Sequence, residues 1–127
     1  EYLNEEQMLT APGQGAIAIE IREEDKEIET LLEVLAHTET TACVTAERAF
    51  LNTLEGGCQI PFAAHATFTG NTLTVEGLVA TLDGRKIQRE SKKGNASDAF
   101  QMGVDLATSI QDNGGMEILD EVKKALS

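Results

Sequence analysis

The sequence predicts an α+β fold: a three-stranded antiparallel sheet with helices covering one face, preceded by a partnerless strand that belongs to a neighbouring domain. Three observations predict it. Apolar residues recur at helical spacing from Asp25 to Leu54 and again from Ser97 to Leu126. Between them, from Phe62 to Lys92, the period becomes two, and short turn signals cut that stretch twice. A meander sheet with amphipathic helices on one side lets every apolar face be buried once.

Residues 1–14 are polar, with a weak helical turn at Asn4-Glu5-Glu6-Gln7, and Pro12-Gly13-Gln14-Gly15 must be turn or loop. Ala16 to Ile21 then alternates, with Ile17, Ile19 and Ile21 on one face, and reads as a strand. It has no partner in the meander. An unpaired apolar strand would leave backbone donors and Ile side chains bare, so it is expected to join a sheet formed elsewhere. Asp25 to His37 is a helix with Ile28, Leu31, Leu32 and Leu35 on one stripe. Thr38 or Thr40 caps a second helix running to about Leu54, striped by Cys43, Ala46, Phe50 and Leu54. Three strands follow at Phe62–Thr69, Thr72–Leu82 and Arg85–Lys92, joined by two-residue turns at Gly70-Asn71 and Asp83-Gly84. Two amphipathic helices close the chain. One runs from Ser97 to Asp112 (Phe100, Gly103, Val104, Ala107, Ile110), the other from Met116 to Leu126, and Asn113-Gly114-Gly115 is the C-cap signal between them.

Composition narrows the function classes. The 127 residues carry 22 acidic and 10 basic side chains, a net charge of −12. Binding to nucleic acid or to an anionic membrane requires a clustered excess of Lys and Arg, so both are excluded as partners. No apolar run approaches the ~20 residues of a bilayer span, and no signal-peptide pattern is present. Cys43 and Cys58 are too few for a disulfide framework or a zinc site, which leaves a reduced, cytoplasmic setting as the default and no metal. Asn95-Ala96-Ser97 has the form of a glycosylation acceptor but reads as a helix start. The chain begins at Glu1 without Met, which raises the expectation of a longer protein.

Cys58 is the most informative residue. It lies in Glu55-Gly56-Gly57-Cys58-Gln59-Ile60-Pro61, where two glycines let a bulky group approach the backbone and Pro61 stiffens the far side. Composition alone leaves open a presented thiol or a loop cysteine of no consequence. A helix C-terminus just before it disfavours the thiolate in a chain already at −12, so a cysteine alkylated once fits better than a recurrent nucleophile. Cys43 falls on an apolar stripe and reads as a small core residue. Gly13-Gln14-Gly15 opens a strand rather than a helix, so it is not a phosphate loop. Glu47-Arg48 is assigned a solvated or interdomain ion-pair role, and His37 and His65 a structural one. The acidic run from Glu20 to Glu33 is a solvated helix face. Arg85, Lys86, Arg89, Lys92 and Lys93 protect an edge strand, with anion binding the minority reading.

Glu47-Arg48-Ala49-Phe50 followed by Leu54-Glu55-Gly56-Gly57-Cys58-Gln59-Ile60-Pro61-Phe62-Ala63 resembles the cofactor-attachment signature of the porphobilinogen deaminase (hydroxymethylbilane synthase) family. The segment Ala11 to Glu20 resembles that family's exit from its second domain. Gln101-Met102-Gly103 and Asn113-Gly114-Gly115 resemble its C-terminal helices. The resemblance implies that residues 1–24 are the linker and strand returning to a missing first domain, and residues 25–127 the third, cofactor-bearing domain. It implies a dipyrromethane cofactor held by a thioether to Cys58, with Gly56, Gly57 and Pro61 supporting the loop and Gln14 and Gly15 contributing weaker cofactor contacts. It further implies a transferase of tetrapyrrole (heme) biosynthesis that joins four porphobilinogen units, with loss of ammonia, into linear hydroxymethylbilane. The catalytic Asp and the arginines for the substrate's carboxylates would lie in the missing N-terminal domains. None is expected in this chain, which should not turn over alone.

Two other classes remain at this stage. A stand-alone acidic α+β protein-binding module would share the fold but carry no modification on Cys58. A thiol oxidoreductase would require Cys43 to leave its apolar face as a resolving cysteine.

Overall fold

A computed structural model describes residues 2–54 and 60–127. Helix α1 spans Lys26–Leu32 and runs into a tight 3₁₀ turn at Glu33–Leu35. Asp25 caps α1 by accepting from Ile28 N at 3.3 Å. Helix α2 covers Thr38–Thr53, and its cap is His37 rather than Thr38 or Thr40. The ring Nδ1 accepts from Thr40 N at 3.3 Å. Strands β1 (Phe62–Thr69), β2 (Thr72–Ala80) and β3 (Ile87–Gly94) form one antiparallel sheet in the order β1-β2-β3, as the period-two reading required. A 3₁₀ turn at Ala96–Asp98 leads into α3 (Ala99–Ile110), and α4 (Met116–Leu126) follows a break at Asn113-Gly114. The helix expected from Ser97 to Asp112 is thus shorter at both ends.

The sheet has one covered face. Leu73, Val75, Gly77 and Val79 of β2 alternate inward with Ala64 and Ala66 of β1, and they meet Phe50 and Leu54 of α2 and Met102, Leu106 and Ile110 of α3. Two glycines permit the close approaches. A Cβ at Gly77 would lie 2.6 Å from the Phe50 ring, and one at Gly103 would lie 2.2 Å from the Ala46 carbonyl oxygen. The Phe50 ring therefore packs directly on the β2 backbone, and the backbones of α2 and α3 nearly touch.

Several sequence readings change. The first hairpin does turn in two residues at Gly70-Asn71, but the second is longer: Thr81 N donates to Lys86 O, and Gly84 N to Thr81 O inside that pair. Ala16–Ile21, read as a strand whose partner lies in another domain, carries no ladder among the described residues, and Ile17 is 94% exposed. Ile28, Leu31 and Leu32 do lie on α1, with Leu35 in the 3₁₀ turn after it, yet neither element buries a residue. Phe100, placed on the α3 stripe by spacing, is exposed.

The N-terminal segment lies against the sheet. Asn4 and Gln7 cap one another reciprocally, side chain to backbone, which fixes the predicted helical turn. Arg89 of β3 donates to the carbonyls of Glu5 and Glu6 from the face opposite the helices, and Leu9 is buried.

Candidate functional site

Residues 55–59, and with them Cys58, Gly56 and Gly57, lie outside the described residues. Their two flanks are described, and both are fixed. Leu54 is buried at the end of α2 and its N–H reaches Phe50 O at 3.2 Å. Ile60 packs against the core, and Pro61 O accepts from Ala80 N at 2.9 Å at the start of β1. The segment carrying Cys58 therefore departs from and returns to the rigid core.

Gln14 and Gly15 lie elsewhere, in a double turn that faces α2. Pro12 and Gly13 (φ +75°) occupy the centre of a turn closed by Gln14 N to Ala11 O at 3.0 Å, and Gln14 and Gly15 (φ +82°) the centre of a second, closed by Ala16 N to Gly13 O at 3.2 Å. A positive φ at the third residue is the type II requirement that glycine meets without strain. The double turn borders a groove of about 440 Å³ that Gln14, Gly15, His37, Cys43, Glu47 and Phe68 line. Gly13 is tied to Glu47, which precedes Leu54 by seven residues, or about 10 Å of helix. The groove thus extends toward the N-terminal end of α2, and the Cys58 segment leaves from the other.

Glu47 is the residue that the sequence reading misplaced. Rather than solvated, it is 5% exposed and accepts from Ala66 N at 2.7 Å and Gly13 N at 2.6 Å. Its spacing, four after Cys43 and three before Phe50, does put it on the buried stripe; its charge argued the other way. His65 has the structural role expected of it. Its Nδ1 lies 3.3 Å from Thr10 Oγ1, with Glu5 and Glu47 carboxylates near 4 Å.

The basic arm lies on and just before β3, an edge strand as expected, and most of it is paired. Arg85 pairs with Asp83, Lys86 with Glu121, Arg89 with Glu76 and Lys92 with Asp105, so these cations neutralise this chain's own carboxylates; Lys93 alone is exposed without such a pair among the described residues. Arg22 and Lys26 are paired in the same way. Cys43 is half-buried against the core, and burial, followed by the charges of Glu47 and Glu39, pushes its thiol pKa up. Among the described residues no cluster of His, Cys, Asp or Glu could hold a metal ion, and no helix is long and apolar enough to cross a membrane.

Residues 41–112, which span α2, the sheet and α3, match the family model "Porphobilinogen deaminase, C-terminal domain". The chain belongs to the porphobilinogen deaminase family. A second model, "Porphobilinogen deaminase, dipyromethane cofactor binding domain", matches residues 1–30. Porphobilinogen deaminases from Desulforamulus reducens and Syntrophobacter fumaroxidans are 45% and 43% identical over 91% and 98% of this chain. That of Synechococcus elongatus is 46% identical over 90%. The chain spans about two fifths of these relatives, from 36% to 40% of their lengths. The family resemblance read from the Cys58 window is thereby confirmed, as is the dipyrromethane cofactor at family level.

Proposed function

We propose that this chain is the cofactor-bearing arm of a porphobilinogen deaminase, with Cys58 as the attachment point of the dipyrromethane. The family match to the C-terminal domain model across residues 41–112, a span that includes Cys58, carries this reading. When bound, the dipyrromethane supplies the free pyrrole α-position from which the linear tetrapyrrole is built. The chain's own part is mechanical. Buried Leu54 and the Pro61–Ala80 hydrogen bond hold both ends of the attachment segment to one core, so a thioether on Cys58 would be placed by the fold of α2 and β1. Glycine at 56 and 57 has no side chain to compete with a ring bound to Cys58.

The described residues suit an anchor better than a carboxylate binder. Each porphobilinogen ring carries two carboxylates, and six of this chain's ten Lys and Arg side chains already face a carboxylate of their own. A chain at −12 would repel the growing product unless a basic surface faced it. We assign that surface, the catalytic Asp and the substrate arginines to N-terminal domains corresponding to the remaining three fifths of the relatives, and expect no turnover from this chain alone. Residues 1–24 are the proposed link to those domains, with Ile17, Ile19 and Ile21 covered by them. Gln14 and Gly15 would contribute secondary cofactor contacts, and the cytoplasm is the proposed compartment.

Intact mass tests the reading. The full-length enzyme containing this chain, expressed in cells that make tetrapyrroles, should carry the added mass of two pyrrole rings on the peptide with Cys58, and the Cys58→Ala variant should lack both the mass and the activity. An active full-length enzyme with an unmodified Cys58 would overturn it.

A further inference from the structure

Glu47 has no part in the function proposed above, yet it is the one buried charged side chain among the described residues. A carboxylate 5% exposed loses most of its water, and it is tolerated only where charge-assisted N–H bonds replace that water. Here each oxygen takes one: Oε1 from Ala66 N and Oε2 from Gly13 N. The Ala66 N–H belongs to β1, an edge strand, and points away from β2. The Gly13 N–H is the central amide of the first turn, which the turn's own closing bond leaves free to point outward. One side chain of α2 thus joins an edge strand and a linker that no ladder connects. Thr10 reinforces the same seam through Ala64 N to Thr10 O at 3.1 Å and through its hydroxyl beside His65. Past the second turn the hold ends, and Ile17 is almost fully exposed.

We propose that Glu47 is a positioning residue: its carboxylate clamps Gly13 to the edge of β1 and so fixes the point and direction at which residues 16–24 leave the sheet. An acceptor serving only to cap the strand edge would need one oxygen, and the second is spent on the linker. The clamp itself stands on the geometry of this chain. Its consequence, that the placement of the cofactor arm relative to the rest of the enzyme is set here, rests on the function proposed above.

Amide hydrogen exchange and proton shifts measured by NMR on the 127-residue chain test it. Glu47→Gln keeps one acceptor, which stays on the more deeply buried Ala66 N–H, and turns its NH₂ toward the Gly13 N–H, donor against donor. The Gly13 amide should move upfield and lose protection by about 10- to 100-fold, while the Val75 and Val79 amides of β2 hold theirs within about twofold. Unchanged Gly13 protection, or a loss shared equally by β2, would overturn the clamp. Should Glu47→Gln fail to fold, the wild-type chain decides alone: a through-hydrogen-bond coupling between the Gly13 nitrogen and the Glu47 carboxylate carbon supports the clamp, and its absence refutes it. Neither result touches the mass measurement on Cys58, so the two proposals fail separately.

Discussion

Replacing Gly103 by Ala should force α2 and α3 apart. The added Cβ would stand 2.2 Å from Ala46 O, 2.8 Å from Ala49 Cβ and 2.9 Å from Phe50 N. Two of those three atoms are backbone, so no side-chain rotation relieves the overlap. Ordinary contact begins near 3.4 Å, so the helices must separate by about 1 Å, and a gap of that size forfeits a quarter to a half of the dispersion well for the atoms lining it. Overpacking of this kind costs about 3 kcal/mol or more, against which alanine's helix propensity returns roughly 1 kcal/mol. The net loss is therefore about 2 kcal/mol or somewhat above. At about 4 °C per kcal/mol for a chain of this length, Tm should fall by roughly 8–10 °C. Urea unfolding followed by circular dichroism should show a lower midpoint at an unchanged slope. Gly77→Ala, which meets the Phe50 ring rather than backbone, should cost less. A Gly103→Ala chain as stable as wild type would mean that the helices do not cross at this residue.

Further outcomes follow from single sites. Ser109, Asn113 and Gln88 all donate to Glu90 and hold its carboxyl below the usual range. A depressed folded-state pKa contributes stability above the unfolded value of about 4.3 and loses it as pH falls through the folded one. Ser109→Ala should thus cost about 1 kcal/mol at pH 7 and progressively less toward pH 3, and an equal loss at both would contradict the assignment. The Cys43 thiol, raised by burial and by Glu47 and Glu39, should alkylate with iodoacetamide at pH 7 more slowly than a free cysteine peptide, with its rate profile displaced to higher pH. An equal rate would show an unhindered thiolate. Ile17→Lys should change unfolding free energy by less than about 0.5 kcal/mol while reducing binding of an apolar dye; a larger loss of stability would mean that Ile17 is packed in the isolated chain.

Legibility differed from element to element for identifiable reasons. β1 and its turn into β2 were readable because a period of two and a Gly-Asn pair are local properties. The second hairpin was misjudged because Thr81 pairs with Lys86 outside Asp83-Gly84, and its closing contacts, Thr81 Oγ1 to Asp83 and Lys86 N to Thr81 Oγ1, are side-chain choices that spacing does not reveal. The α1 stripe was read correctly as a pattern and wrongly as a buried face, since periodicity gives a helix an apolar side without saying what covers it. At the site, Cys58 stood out through its glycine-flanked motif. Glu47 did not, because a carboxylate on a buried stripe makes sense only once two backbone N–H groups, 34 and 19 residues away, are seen to meet it.

Residue type and short-range spacing suffice for the element order, the meander, the family and the cysteine proposed to carry the cofactor. Tertiary structure decided what those elements face: that the basic arm is consumed by this chain's own carboxylates, that Leu9 and Arg89 hold the N-terminal segment on the sheet, and that Gly13 is pinned through Glu47. These depend on pairs far apart in the chain, where burial removes water and leaves each charge only the partners that the fold brings to it.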